Sequence, residues 1–368
     1  MIERTSAHIK TDYILLLVTL SLIVIGTVMI YSSSSILAME RFKDGLYFLK
    51  KQLFFVLVGI IAMIIFTKIS YQQLRKWAYP GILFSIFLLC LLLVPHVGIR
   101  AGGATRWLNM GFFSFQVTEM VKVAMVVFLA HFLTRKSSRL KEFTRGVLAP
   151  LSITAFIVGL ILLEPDFGTA VIIAIILMLM LYVSGARLIH LLGLAALFAP
   201  IGIWLLLRKS YRLERLTTFL DPWKDPQNSG FQIIQSLLSF GSGGTFGVGI
   251  GDGMQKLFYL PEPHTDFILS IIAEECGFIG VLVVIFLFTL LVLRGFIISF
   301  KAPDLFSALL AAGLTMTLAL EAFINIGGVM GLIPLKGLAL PFLSYGGTSL
   351  IMSLIAVGIL MNIASHEA

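Results

Sequence analysis

The chain has 368 residues, of which 58% are hydrophobic and only 12% are charged. Its apolar runs are about 20 residues long and do not alternate with polar residues, which excludes a soluble globular domain and a transmembrane β-barrel. The net charge is +8, but the basic residues are scattered through short loops and form no stripe, which argues against nucleic acid as a partner and favours membrane lipid.

Hydropathy predicts an all-α polytopic integral membrane protein that forms a single transmembrane unit over residues 1–368. Ten spans are predicted, at 12–32, 52–68, 80–95, 114–134, 147–163, 169–185, 188–207, 267–293, 304–331 and 344–363. The loops after spans two and four are rich in Lys and Arg, so both termini are predicted to be cytoplasmic. The loop that holds Lys50 and Lys51 argues for the opposite orientation, and the larger alternating pattern decides.

Span four contains two charged residues, Glu119 and Lys122, three positions apart on one helical face. Charged groups inside a span are costly, so each is a candidate for a functional role. Lys122 would be a counter-charge for a lipid phosphate, held in place by Glu119. The other interpretation is a buried ion pair that joins two helices. In span nine, Glu321 and Asn325 also share a face.

The connection between spans five and six reads Glu-Pro-Asp-Phe-Gly-Thr, from Glu164 to Thr169. One interpretation is a tight turn in which a side chain caps the next helix. The other is a part of the functional site, because the predicted topology places this connection on the outer side of the membrane.

A loop of about sixty residues, 208–266, joins spans seven and eight, and its length makes it a functional candidate. An amphipathic helix beginning near Phe231 is predicted to lie on the membrane surface. The glycine-rich segment 241–253 has no Gly-Lys-Ser/Thr ending and no preceding strand, so no nucleotide is expected there. A hinge, or a close approach of its backbone to a sugar or phosphate, is the preferred interpretation.

The segment before span eight holds His264, Thr265 and Asp266, and its helix is predicted to begin at Phe267. A carboxylate at this boundary is near enough to lipid for a raised pKa and near enough to water to exchange a proton, as a general base must. The alternative is that Thr265 or Asp266 simply caps the helix.

Helical periodicity places three small residues on the same face as Asp266, leaving room for a ligand or a close neighbouring helix. They are Ser270, Ala273 and Gly277. Glu274 and Glu275 fall elsewhere on the helix, too far from Asp266 for a carboxylate pair, and are expected to contact other helices.

Four separated polar segments meet the outer surface in this topology, at 96–119, 164–169, 208–266 and 333–349. The last supplies Lys336, Ser344 and Tyr345. Their convergence predicts a cavity for an amphiphilic substrate.

Motifs in these segments resemble the shape, elongation, division and sporulation family, whose members include FtsW, RodA and SpoVE. They are GATRWLNMGFFSFQVTEMVK from Gly103, EPDFGTA from Glu164, FLDPWKDPQNSGFQIIQS from Phe219, LPEPHTDFI from Leu260 and PLKGLALPFLSYGGTS from Pro334. The resemblance covers nearly the whole chain. The LPEPHTDFI form, with Pro263, is more similar to FtsW than to RodA.

The resemblance implies a peptidoglycan glycosyltransferase that polymerises lipid II at the outer face of the bacterial cytoplasmic membrane during cell division and releases undecaprenyl pyrophosphate. Asp266 would remove a proton from the acceptor sugar hydroxyl, which attacks the anomeric carbon of the growing strand with inversion. The predicted substrate-binding residues are Lys122, Glu119, Arg106, His264, Thr265, Lys336, Ser344 and Tyr345.

The same resemblance implies several partners: the nascent glycan strand, a class B penicillin-binding protein as transpeptidase, and other divisome or elongasome membrane proteins. A divalent cation, Mg or Mn, would be held by Asp166 or Glu119, and no nucleotide is expected. Three alternatives stay open. One is an elongation polymerase of the RodA type, and another is a lipid II flippase with Glu119, Lys122 and Glu321 along its path. The third is a structural subunit that recruits the transpeptidase, which explains the polar groups in the spans less well.

Overall fold

The computed structural model describes residues 12–101, 104–109, 111, 113–208, 210–256, 260, 263–334 and 337–366. Its described part is mostly helical. The helices are α1 Tyr13–Phe42, α2 Tyr47–Lys68, α3 Tyr71–Lys76, α4 Ala78–Leu92, α5 Val117–Arg135, α6 Leu148–Leu163, α7 Phe167–Val183, α8 Leu188–Leu207, α9 Ser210–Leu220, α10 Phe231–Gly243, α11 Ile268–Phe300, α12 Leu305–Val329 and α13 Gly347–Ala364. Short 3₁₀ turns occur at Ser137–Arg139 and Pro222–Lys224, and a π-helical turn at Phe143–Val147 leads into α6.

Eight of these helices, within the part of the chain that is described, are long and apolar enough to cross a membrane: α1, α2, α5, α6 with its π turn, α8, α11, α12 and α13. Helices α4 and α7 are apolar but shorter, with 15 and 17 residues. Each of the ten predicted spans coincides with one of these ten helices. The chain is therefore a multi-pass, mainly α-helical membrane protein.

A small antiparallel sheet, which the sequence reading did not predict, occupies the connection between α4 and α5. Its strands are β1 Gly98–Ala101, β2 Ala104–Asn109 and β3 Ser114–Gln116, in that order. Trp107 pairs with Gln116, and the Gln116 N–H donates to Thr348 Oγ1 at 3.1 Å. The sheet therefore connects the start of α5 to the start of α13.

Helix α11 contains a break at Gly277, where φ is 68° and ψ is −165°. The glycine-rich segment packs into this break, so backbone groups on both sides of it find partners. The N–H groups of Val248 and Gly249 donate to the carbonyls of Glu274 and Glu275 (3.0 and 3.1 Å), and those of Phe278 and Ile279 donate to Gly244 and Thr245 (2.9 and 3.2 Å). The close backbone approach predicted for segment 241–253 is thus an approach to α11.

The break gives a first prediction, that Gly277→Ala lowers the free energy of unfolding by at least about 2 kcal/mol. This backbone conformation is nearly exclusive to glycine, and a Cβ here would overlap the amide nitrogen of Gly247. Gly159→Ala in α6 is the matched control, because a Cβ at Gly159 meets no atom within 4 Å and alanine favours a helix. Thermal unfolding in detergent measures both, and equal melting temperatures would contradict the prediction.

The start of α11 differs from its predicted form. The helix begins at Ile268 and its N-cap position is Phe267, with no side-chain capping bond, so neither Thr265 nor Asp266 is the cap. The small residues behind Asp266 pack against α10: Ser270 and Ser236 share a hydrogen bond of 2.8 Å, and a Cβ at Gly243 would overlap the carbonyl of Ala273. A neighbouring helix, and not a ligand, fills this face.

The two glutamates of α11 anchor the loop before Asp266. Glu275 accepts from Ser32 Oγ of α1 and forms a buried ion pair with Lys256, both at 2.7 Å. Glu274 accepts from the N–H of Met254 at 2.8 Å. The predicted contact with another helix is therefore found for Glu275, whereas Glu274 binds loop backbone. Both fix the chain just upstream of residues 263–266.

Candidate active site

One cavity of about 1180 Å³ lies where several helix ends and connections meet. All four polar segments predicted to converge contribute to its wall, and so does the first part of α2. Its lining includes Lys50, Lys51, Phe54, Arg106, Trp107, Phe113, Gln116, Glu119, Pro165, Phe167, Arg215, Leu216, Thr265, Asp266, Gly337, Leu338, Tyr345 and Ser349. The cavity thus combines two carboxylates, several cations and apolar surface.

The backbone around Asp266 is fixed by two neighbouring elements. Asn325 of α12 donates from Nδ2 to the carbonyl of Asp266 at 2.9 Å, and Tyr345 donates its N–H to the carbonyl of His264 at 2.8 Å. A Cβ built on Gly337, where φ is +64°, would lie 3.1 Å from Asp266 Oδ2. The carboxylate therefore lies against the 337–340 segment, on the cavity wall.

The Arg106–Asp166 ion pair, with a distance of 3.0 Å between Nε and Oδ2, joins β2 to the start of α7. Asp166 also accepts from the N–H and Oγ1 of Thr169, at 3.2 and 2.8 Å, so it caps α7 as one of the two interpretations predicted. Asp166 is buried behind the wall, while Arg106 lines the cavity. The pair holds Arg106 at the cavity wall.

Glu164, beside this pair, is buried, and among the described residues neither of its carboxylate oxygens has a hydrogen-bond partner. Burial, followed by repulsion from Asp166, raises its pKa to about 8, and Arg106 opposes the shift. The folded state therefore binds a proton that the unfolded state releases above pH 4.5. The stability that this proton provides is complete below pH 4.5 and is lost as the pH rises towards 8.

Our second prediction follows: Glu164→Gln raises the melting temperature at pH 9 and flattens its dependence on pH between 5 and 9. The amide keeps the shape of the protonated acid and needs no proton. Glu142→Gln, at an exposed position, is the control and should leave the pH profile as in the wild type. A profile unchanged by Glu164→Gln would show that Glu164 is ionised in the folded protein.

A buried ionic triad lies between α5 and α12. Lys122 Nζ donates to Glu119 Oε1 at 2.9 Å and makes a short contact with Glu321. All three side chains are buried, and Lys122 is only 3% exposed. The space around them is about 10 Å³, no more than one water molecule needs. Glu119 also lines the large cavity, so the triad reaches the wall through this residue.

Five of the nine predicted catalytic and substrate-binding residues line the cavity: Asp266, Thr265, Glu119, Arg106 and Tyr345. Burial raises the pKa of Tyr345 to about 12, so its hydroxyl stays protonated.

The other predicted residues lie elsewhere. Lys122 is enclosed by two carboxylates, and His264 packs its ring against Phe48. Ser344 is buried, with its Oγ accepting from the N–H of Leu340 at 2.8 Å. Lys336 lies outside the described residues. Some of the predicted substrate-binding residues therefore line the cavity wall and others lie behind it. The role of each of them in substrate binding stays a prediction.

Three cationic side chains on the wall were not predicted to belong to the site: Lys50, Lys51 and Arg215. Lys50 is paired with Asp44 at 2.7 Å, and Lys51 donates to the hydroxyl of Tyr47 at 2.6 Å. Both lysines precede the predicted start of span two, where they were considered only for membrane orientation. Their position near the start of α2, beside the polar connections, was the feature of the sequence that could have placed them at the site.

The carboxylates proposed for a cation do not form a metal cage by themselves. Asp166 is paired with Arg106, and Glu119 with Lys122. No group of three or more His, Cys, Asp or Glu side chains with metal-binding geometry occurs among the described residues.

A family model described as "Cell cycle protein", for FtsW, RodA and SpoVE, matches residues 13–368. The chain belongs to the FtsW/RodA/SpoVE family. It is 46% identical to the "Probable peptidoglycan glycosyltransferase FtsW" of Trichlorobacter lovleyi, over 96% of this chain and 93% of that protein. It is 43% identical to the "Stage V sporulation protein E" of Bacillus subtilis, over 99% of both.

Two solved structures show the family fold over almost the same length. A chain from the structure described as "Structural coordination of polymerization and crosslinking by a peptidoglycan synthase complex" is 30% identical, with a TM-score of 0.80. The rod shape determining protein RodA of Thermus thermophilus is 26% identical, with a TM-score of 0.70. Each comparison covers 97% of this chain and 98% of the other.

Proposed function

We propose that this protein is a peptidoglycan glycosyltransferase that polymerises lipid II into glycan strands at the outer face of the bacterial cytoplasmic membrane and releases undecaprenyl pyrophosphate. The observation that carries the proposal is that Asp266 and several cationic side chains line one cavity of about 1180 Å³. The names of the relatives support the same reaction class.

In this reaction Asp266 accepts the proton of the acceptor sugar hydroxyl. The hydroxyl oxygen forms a new bond to the anomeric carbon of the growing strand, and the bond from that carbon to the pyrophosphate oxygen breaks, with inversion. Negative charge then develops on the pyrophosphate. Arg106, Lys50 and Lys51 line the same cavity and supply positive charge and N–H donors for it. A divalent cation bound through the pyrophosphate stays a prediction.

The cavity also suits the amphiphilic form of the substrate. Phe54, Phe113 and Leu206 belong to its lining, beside the polar groups. A ligand with a polar head and a prenyl chain could place each part against matching surface, because apolar lining binds by burial and a few polar groups fix orientation. This pattern favours a lipid-linked sugar over a free sugar nucleotide.

A lipid II flippase is less well supported. A translocation path needs unpaired polar groups across the membrane, whereas Lys122, Glu119 and Glu321 satisfy one another and enclose only about 10 Å³. The polar surface of the cavity lies at one set of helix ends. Polymerisation at one membrane face therefore fits the geometry better.

We assign the protein to cell division, in association with a class B penicillin-binding protein and other divisome membrane proteins. FtsW names among the relatives support the division role, while SpoVE matches at similar identity. The peptidoglycan synthase complex among the structural neighbours supports a synthase partner. An elongasome role of the RodA type is the alternative, and depletion followed by microscopy of septa and side walls distinguishes them.

Gel-resolved glycan formation from purified lipid II tests the activity. The protein is assayed with its transpeptidase partner, inactivated at the acyl-transfer site, so that any polymer comes from the membrane subunit. Polymer supports the proposal. Its absence, together with lipid II translocation in vesicles, would replace the proposal with the flippase.

A further inference from the structure

Asn325 of α12 connects the two chain segments that flank the Asp266 carboxylate. Its Nδ2 donates to the carbonyl of Asp266 at 2.9 Å and to that of Leu338 at 2.6 Å. The side chain is 5% exposed. One amide group therefore holds residue 266 and the 337–340 segment, which are more than seventy positions apart, at a fixed separation.

The orientation of this amide is determined by its acceptors. Both are carbonyl oxygens, so only the NH₂ group can face them, and a flipped amide would direct its own oxygen at both. Its Oδ1 is buried and has no partner within the described structure, which is an energetic cost. Among the described residues, the Oδ1 of Asn325 is therefore left unpaired while its Nδ2 binds two backbone carbonyls.

The Leu338 contact is close enough to the carboxylate to matter for its position. Gly337 precedes Leu338, and a Cβ at Gly337 would lie only 3.1 Å from Asp266 Oδ2. A shift of the Leu338 carbonyl would therefore move Gly337 towards or away from that oxygen. Asn325 controls both the backbone that carries the carboxylate and the surface against which it lies.

We propose that Asn325 is a positioning residue that sets the orientation of the Asp266 carboxylate in the cavity. The inference rests on the proposed function, in which Asp266 is the base. Helix α12 extends this effect, because Glu321, one turn before Asn325, is bound in the triad with Lys122 and Glu119. A rigid α12 thus fixes Asp266 relative to Glu119, and both line the cavity.

A matched control exists in Asn362, near the end of α13. Its Nδ2 donates to the carbonyl of Thr67 at 2.7 Å, and its Oδ1 accepts from the N–H of Tyr71 at 2.9 Å. Asn362 is 3% exposed, as buried as Asn325, and it also makes two bonds to backbone. It binds the α2–α3 connection, which is not part of the cavity lining.

The experiment compares Asn325→Leu with Asn362→Leu in the full chain with its transpeptidase partner. We expect Asn325→Leu to lower kcat for polymerisation about 100-fold with KM changed less than about threefold, because misplacement of a reacting group acts on turnover. Asn362→Leu should leave kcat within about twofold. In hydrogen exchange, Asn325→Leu should accelerate peptides covering 267–271 and 340–344, and Asn362→Leu those near 67–71.

Two results would overturn the inference: wild-type kcat in Asn325→Leu, or equal losses of kcat in both variants at matched melting temperatures. Failure of the proposed function has a different signature. The wild type would then form no polymer, while Asn325→Leu would still accelerate exchange near residue 266. That result would show that Asn325 holds the backbone at residue 266 although the protein does not catalyse polymerisation.

Discussion

Asp266→Asn is expected to lower lipid II polymerisation by at least about 10³-fold, the largest effect of any single change in the cavity. The amide has nearly the size of the carboxylate but cannot accept a proton from the acceptor hydroxyl. The bond from Asn325 goes to the backbone carbonyl of Asp266 and does not involve the carboxylate oxygens. The variant should therefore fold, bind its transpeptidase partner and bind lipid II, and fail only in turnover.

Asp252→Asn is the matched control, because Asp252 is exposed on the same long loop and does not line the cavity. It should polymerise lipid II at the wild-type rate. Product formation and lipid II binding are measured separately for both variants, since loss of product with retained binding indicates chemistry. Glycan synthesis that persists in Asp266→Asn would exclude Asp266 as the base.

The positions of the helices were predictable because a segment that crosses a membrane must be apolar over its whole length. Backbone groups in lipid must be satisfied within a segment, so each crossing appears as a long apolar run. The alternation of crossings then places the polar connections at the same end. For this reason the convergence of the segments around Arg106, Pro165, Asp266 and Tyr345 could be predicted, and the cavity confirms it.

Features that depend on contacts between distant segments were not predictable. The sheet at 98–116 has strands of only three to six residues, too short for a periodic pattern. The break in α11 needs both Gly277 and the glycine-rich segment that fills it. A single helical wheel through Asp266 therefore left open whether a ligand or a neighbouring helix fills this face, and in the structure α10 packs there. The sequence shows that glycines are present, but not which backbone they approach.

Lys122 illustrates the same limit for charge. Its pairing with Glu119 was visible at helical spacing, but Glu321 is 199 positions away. Paired with Glu119 alone, Lys122 could also face a lipid phosphate. In the structure Glu119 and Glu321 together enclose its ammonium group. Lys50 and Lys51 show the reverse, since charges interpreted as topology signals line the cavity.

The second large effect is expected for Lys122→Met, which should lower the free energy of unfolding by about 3–5 kcal/mol. The change leaves Glu119 and Glu321 buried without their shared cation, in a space that holds about one water molecule at most. Thermal unfolding in detergent measures the loss. Lys68→Met, which removes an exposed lysine at the end of α2, is the control and should change the melting temperature little.

A triple variant, Lys122→Met with Glu119→Gln and Glu321→Gln, separates the structural contribution of the triad from a catalytic one. All three replacements are neutral and close in size, so the variant should recover most of the lost stability, because it removes the uncompensated buried charge, whereas the two buried amides keep part of the cost of unpaired polar groups. Failure to recover would show that the destabilisation has another source than uncompensated charge. Polymerisation by the recovered variant then decides whether the triad as a whole takes part in the reaction. Wild-type turnover means that the triad only joins α5 to α12, whereas a folded but inactive protein means that the charges of the triad, including Glu119 on the cavity wall, act on the substrate.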